Sequence, residues 1–163
     1  MTDFQQLRKQ IDEAANVEDP LDRRLRVIAV ITRALADTGI KPVIVGGMAV
    51  EFYTSGGYTT FDIDIVCDSF ALDAVLIELG FSREGRHWFR EDLAIAIEAP
   101  ASSLKSHERE HVLQANVDGQ PVYLIGLEDV IIDRLNAFVH WQSGEDGRWA
   151  THLIADNHDQ IDW

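Results

Sequence analysis

The chain has 163 residues, 46% of them apolar, which suits one packed domain over 1–163 rather than a disordered chain. Its 28 acidic residues against 14 Lys and Arg give a formal net charge of −14, which disfavours general binding to phosphate backbones. No apolar run is long enough to span a bilayer, Met1–Gln5 lacks the basic start and apolar stretch of a signal peptide, and the lone Cys67 can form neither an internal disulfide nor a thiolate zinc site, so a cytoplasmic protein is expected.

Residues 1–39 read as helices. Phe4, Leu7 and Ile11 share one helical face over 3–15. Asp19-Pro20 then predicts a helix start, Leu21, Leu25, Ile28, Ile31 (or Thr32) and Leu35 continue a stripe, and Gly39 predicts the stop. Residues 40–126 read as the sheet core. A β-branched run over 41–45 predicts a strand that Gly46-Gly47 ends, and a short helix follows over 48–53. Next come a strand over 61–67, a helix over 70–79, and three strands near 81–84, 87–90 and 93–98. Asp118-Gly119 between apolar runs predicts a hairpin over 112–125. Residues 127–163 read as C-terminal helices, with Val130, Ile131, Leu135 and Phe138 on one side of the first and Gly144 before the second. The order predicts an α+β domain with a mixed β-sheet.

The chemistry concentrates on two of these strands. Side chains alternate along a strand, so in Phe61-Asp62-Ile63-Asp64-Ile65 both aspartates share a face while Phe61, Ile63 and Ile65 pack beneath helices. Paired carboxylates repel, and a cation between them relieves the repulsion; oxygen donors suit Mg2+ or Mn2+. Over 93–98 the same alternation puts Leu93, Ile95 and Ile97 on one face and Ala94, Ala96 and Glu98 on the other. If that strand lies beside the Asp-x-Asp strand, Glu98 joins Asp62 and Asp64. Gly46-Gly47, between a strand and a helix, lets backbone approach a phosphate at a helix N-terminus. An isolated Asp-x-Asp or Gly-Gly is weak evidence; turn, helix, Asp-x-Asp strand and later acidic strand together are much rarer.

The segments Val43-Ile44-Val45-Gly46-Gly47-Met48-Ala49-Val50 and Thr59-Thr60-Phe61-Asp62-Ile63-Asp64-Ile65-Val66 resemble the nucleotidyltransferase superfamily that includes DNA polymerase β. They look most like its small prokaryotic members, among them antitoxin-linked and abortive-infection-like proteins. Glu128-Asp129-Val130-Ile131-Ile132-Asp133-Arg134-Leu135-Asn136-Ala137 is similar to a family helix that often carries lysine where Arg134 stands. The resemblance covers roughly residues 40–155. It implies a nucleotidyltransferase fold with helices packed on one face of the mixed sheet and a C-terminal helical hairpin. It also implies Asp62, Asp64 and Glu98 as catalytic, metal-binding residues for Mg2+ (or Mn2+), and Gly46, Gly47, Thr60 and Arg134 on the nucleotide. The implied reaction moves a nucleotide monophosphate from a nucleoside triphosphate to an acceptor hydroxyl; a small molecule, a protein side chain and an RNA end all remain open as acceptor, and the net charge of −14 favours the first two. The chain departs from the family in having Tyr58 and Phe61 where a basic residue often precedes the Asp-x-Asp.

Two alternatives belong to other classes. One is a non-catalytic binding protein of this fold in a toxin–antitoxin-like system, with a homodimer or a cognate protein as partner. The other is a zinc hydrolase, since His107-Glu108-Arg109-Glu110-His111 fits His-Glu-x-x-His, with Glu128 downstream as a third ligand. That segment lacks an apolar stripe and runs into a predicted strand, so a charged connection with two solvated histidines is the plainer expectation.

Overall fold

The computed structural model describes every residue from Met1 to Trp163. Two capped helices open the chain. Asp3 accepts from the Gln6 N–H ahead of α1 (Phe4–Ala14), and Asp19 accepts from the Leu21 N–H at 2.9 Å ahead of α2 (Pro20–Leu35). Pro20 occupies the first turn of α2, where its missing N–H costs nothing. There follow β1 (Val43–Val45), α3 (Gly46–Tyr53), β2 (Asp62–Val66) and α4 (Ser69–Glu78). Next come β3 (Ser82–Glu84), β4 (His87–Arg90), β5 (Ile95–Glu98) and the single turn α5 (Ser106–Arg109). The hairpin β6 (Leu113–Val117) and β7 (Gln120–Leu124) leads into α6 (Leu127–Trp141) and α7 (Gly144–Asn157).

The strands form one seven-stranded sheet in the order β3-β4-β5-β2-β1-β7-β6. It is mixed: β2 runs parallel to β5 and β1 parallel to β7, while β1–β2, β3–β4, β4–β5 and β6–β7 are antiparallel. One face packs under α1, α2 and α4, where Ile11, Ile28, Ile31, Leu72 and Leu76 meet Ile44, Ile63, Ile65, Trp88 and Ile97 in one buried cluster. Each such side chain contributes about 1.5–3 kcal/mol on full burial. Trp88 belongs to this core, and its indole N–H donates to Asp73 at 2.8 Å. α3 is tied to its neighbours by side chains: the Tyr53 hydroxyl donates at 2.7 Å to the carbonyl of Ile125, in the link from β7 to α6, and Asn157 of α7 donates to the Tyr53 carbonyl at 2.9 Å. No helix is long and apolar enough to cross a membrane.

The α+β architecture, the mixed sheet and the C-terminal helical hairpin match the expectation. Three local expectations do not hold. Phe61 does not pack beneath a helix; it stands 78% exposed just before β2 begins at Asp62, where no partner strand fixes its direction. The strand expected over 93–98 starts only at Ile95, because Glu91–Leu93 forms a 3-10 turn and Ala94 takes a left-handed φ of 53° to reverse the chain from β4 into β5. On α6, Val130 and Ile131 are buried, but Leu135 and Phe138 are exposed because α7 covers only part of that side. The His-Glu-x-x-His alternative gains no support, because α5 stops at Arg109, before His111, and no helix aligns the two histidines.

Candidate functional site

Antiparallel pairing of β1 with β2 sets Val45 opposite Asp64, and parallel pairing of β2 with β5 sets Asp64 beside Glu98 and Asp62 beside Ala96. All three acids therefore rise from the face that the main helices leave open. Burial pushes the Asp64 carboxyl above the usual carboxylate range, and the charges of Glu98 and Asp62 push it further the same way; His87 and Arg134 act against this without cancelling it. The folded chain thus disfavours the charged form of Asp64, first by burial and then by the neighbouring Glu98 and Asp62.

α3 begins directly over Asp64. Gly46 has a φ of +63°, which only glycine adopts without strain, and a Cβ there would lie 2.6 Å from an Asp64 carboxylate oxygen. A Cβ on Gly47 would lie 3.2 Å from the Thr60 hydroxyl and 3.0 Å from the Tyr58 ring, a tight fit that would make these side chains shift. The residue before the helix is Val45, and no side chain caps its first N–H groups. These donors, together with the positive end of the helix dipole, point to the Asp64 end of the sheet.

A cavity of ≈ 370 Å³ adjoins this helix end, with Gly46, Asp64, Lys105, Asp129 and Arg134 in its walls. Arg134 donates from Nη1 to Asp146 at 2.8 Å, and its buried Nε has no hydrogen-bond partner. Burial raises Asp146, but the hydrogen bonds from Ser143 and Arg134 outweigh it and leave that carboxyl below its ordinary range. The Asp129 Oδ2 is likewise buried without a hydrogen bond, although His111 Nδ1 stands 3.4 Å away.

The structure thus gathers Gly46, Gly47, Thr60, Asp62, Asp64, Glu98 and Arg134 around one end of β1 and β2. It also brings in Arg86 and His87, which sequence reading did not select. Arg86 Nε lies 3.1 Å from Glu98 Oε1, and His87 Nε2 lies 3.3 Å from Oε2. No group of three or more His, Cys, Asp and Glu side chains is gathered closely enough to hold a metal ion unaided. A hard divalent cation nevertheless suits this donor set in kind, because Mg2+ is commonly bound by one or two carboxylates together with substrate phosphates. Asp62 and Asp64 present such oxygens with no basic side chain bonded to either, whereas Glu98 is engaged by Arg86 and His87.

The zinc motif dissolves in three dimensions. His107 lies 4.0 Å from Glu108, His111 faces Asp129, and Glu128 accepts from the Asp162 N–H at 2.9 Å. The three therefore do not converge as ligands.

No family model matches the sequence, and no curated protein matches it. Among solved structures, the chain is similar to an antigenic nucleotidyltransferase-like protein from Paracoccidioides brasiliensis, at a TM-score of 0.61 and 18% identity over 85% of this chain and 77% of that one. At that identity the likeness shows the fold: the chain has a nucleotidyltransferase-like fold.

Proposed function

We propose that the chain binds a nucleoside triphosphate together with Mg2+ (or Mn2+) and transfers its nucleotide monophosphate to an acceptor hydroxyl. The observation that carries this reading is the uncapped start of α3 lying against Asp64, with Asp62 on the same strand face. Backbone donors for phosphate oxygens and carboxylates for the cation that accompanies them adjoin each other.

Gly46 and Gly47 receive the β- and γ-phosphates through their N–H groups, with Thr60 beside Gly47 and Arg134 on the far wall of the cleft. Asp62 and Asp64 hold the cation, which when bound neutralises phosphate charge and orients the triphosphate. The acceptor oxygen bonds to the α-phosphorus, the bond from that phosphorus to the α,β-bridging oxygen breaks, and pyrophosphate leaves. The acceptor proton passes to Glu98, behind which His87 stands at 3.3 Å. Positioning and charge neutralisation supply most of the rate. The net charge of −14 favours a small molecule or a protein over nucleic acid as acceptor. A cytoplasmic location suits this reading, since nucleoside triphosphates are abundant there.

A second reading has its own support. Glu98 is held by Arg86 and His87, and Arg134 by Asp146, so two of the residues assigned to the reaction already have partners. Ile132, Leu135, Phe138, Val139 and Trp141 of α6 are exposed, a surface suited to a second copy or a cognate protein. The chain is then a nucleotide-binding member of a toxin–antitoxin-like pair without turnover. Incubation with each labelled triphosphate, Mg2+ and cell extract separates the two. Transfer predicts a labelled product from the wild type that Asp64→Asn fails to make; the absence of any labelled product from the wild type selects the binding-only reading.

A further inference from the structure

The open face of the sheet carries a second hollow at the other end of the same strands. Val45 and Asp64 pair at the helix end of β1 and β2, and Val43 and Val66 pair at the far end. There Val43, Val66 and Leu104 form a small apolar cluster of their own, with Val112 and Tyr123 packed against it. The segment after β5 folds back over it, anchored by the Cys67 N–H donating to the Ala101 carbonyl at 3.1 Å. Between this segment and the sheet lies a cavity of ≈ 520 Å³. Its volume falls in the range of about 300–1,000 Å³ typical of small-molecule sites, which are mostly apolar with a few polar groups.

The polar groups are unusual for so acidic a chain. Lys41 and Arg109 both border the cavity. The ion pairs of the structure engage Lys9, Arg24, Arg26, Arg83, Arg86, Arg90 and Arg134, and none includes Lys41 or Arg109. The acid at the same rim, Asp68, has an oxygen committed to capping α4, accepting from the Ala71 N–H at 2.8 Å. The Lys41 ammonium sits 5.3 Å from the centre of the Tyr123 ring, at the mouth of the apolar floor. Among the lining residues these two cations face the single acid Asp68, so the formal charge of the cavity wall is positive although that of the chain is −14. Arg109 comes from the His107–His111 segment, for which no metal role remains. Cys67 also borders the cavity, but burial and then Asp68 push its thiol up to about 11, so it acts as wall rather than nucleophile.

We propose that this cavity binds a small molecule with a ring-sized apolar body and a single carboxylate or phosphate group. The body rests on Val66, Leu104 and Tyr123, and Lys41 and Arg109 take the anion. The site shares Val66, Ser103 and Leu104 with the cleft beside Asp64 and lies toward the other end of β1 and β2.

The test is an amide ¹H–¹⁵N NMR titration with 2-naphthoate, 2-naphthyl phosphate and the neutral 2-naphthamide. Saturable shifts are expected at Val66, Leu104, Arg109 and Tyr123 with one or both anions. Whichever anion binds tighter identifies the favoured group. Lys41→Ala/Arg109→Ala alters two exposed side chains and is expected to weaken binding about tenfold or more, and Leu104→Trp to abolish it by filling the floor. Shifts confined to the exposed face of α6, equal affinity for the neutral amide, or unchanged affinity in the double variant would overturn the proposal.

Discussion

Asp64 combines partial burial with two neighbouring carboxylates, and its raised pKa has a consequence for stability. A carboxyl whose folded pKa lies above its unfolded value stabilises the fold below the unfolded pKa, and this contribution is lost as pH rises through the folded pKa. At neutral pH the ionised Asp64 therefore works against folding. Asp64→Asn is expected to raise Tm at pH 7 by about 2–4 °C, with the gap closing as pH falls toward 4, followed by circular dichroism. An equal or lower Tm for the variant at pH 7 would show that Asp64 is not under strain. Glu98 contrasts with it, since Arg86 and His87 stand where a cation otherwise would.

At the scale of elements, the position of the glycine turn depends on α3, and α3 is fixed from beneath by a buried ion pair. Arg24 of α2 meets Glu51 of α3 through Nη1–Oε2 at 2.6 Å and Nη2–Oε1 at 2.9 Å, with both side chains almost wholly buried. Breaking such a pair on one side leaves a buried charge uncompensated. Glu51→Gln is expected to cost about 3–5 kcal/mol in urea unfolding, and Arg24→Met/Glu51→Met considerably less. A double variant as unstable as the single one would contradict that account. This pair was invisible in the sequence, because helical periodicity assigns charged residues to the surface. What was legible had local signals: Asp19-Pro20 for the start of α2, Asp118-Gly119 for the last hairpin, and alternation for the Asp-x-Asp strand. The partners of Glu98 needed register instead. The tight reversal at Ala94 pairs Arg90 with Ile95, and counting outward from there sets His87 opposite Glu98. Reading 93–98 as one straight strand concealed that count. Phe61, Leu135 and Phe138 were misplaced for a related reason: periodicity defines a face but not whether anything covers it.

At the scale of the whole molecule, one sheet separates two kinds of surface. The helix-covered face is a continuous apolar core, and the open face bears the acids at one end and a small cationic cavity at the other, within an envelope of net charge −14. An isolated triphosphate is repelled by that envelope, so its binding has to be coupled to a cation at Asp62 and Asp64. Isothermal titration calorimetry with each of the four nucleoside triphosphates, with and without Mg2+, tests this coupling most directly. Saturable binding of at least one triphosphate only when Mg2+ is present, lost in Asp62→Asn/Asp64→Asn, is the predicted result. Equal binding without Mg2+, undiminished binding by the double variant, or no binding of any triphosphate would contradict it.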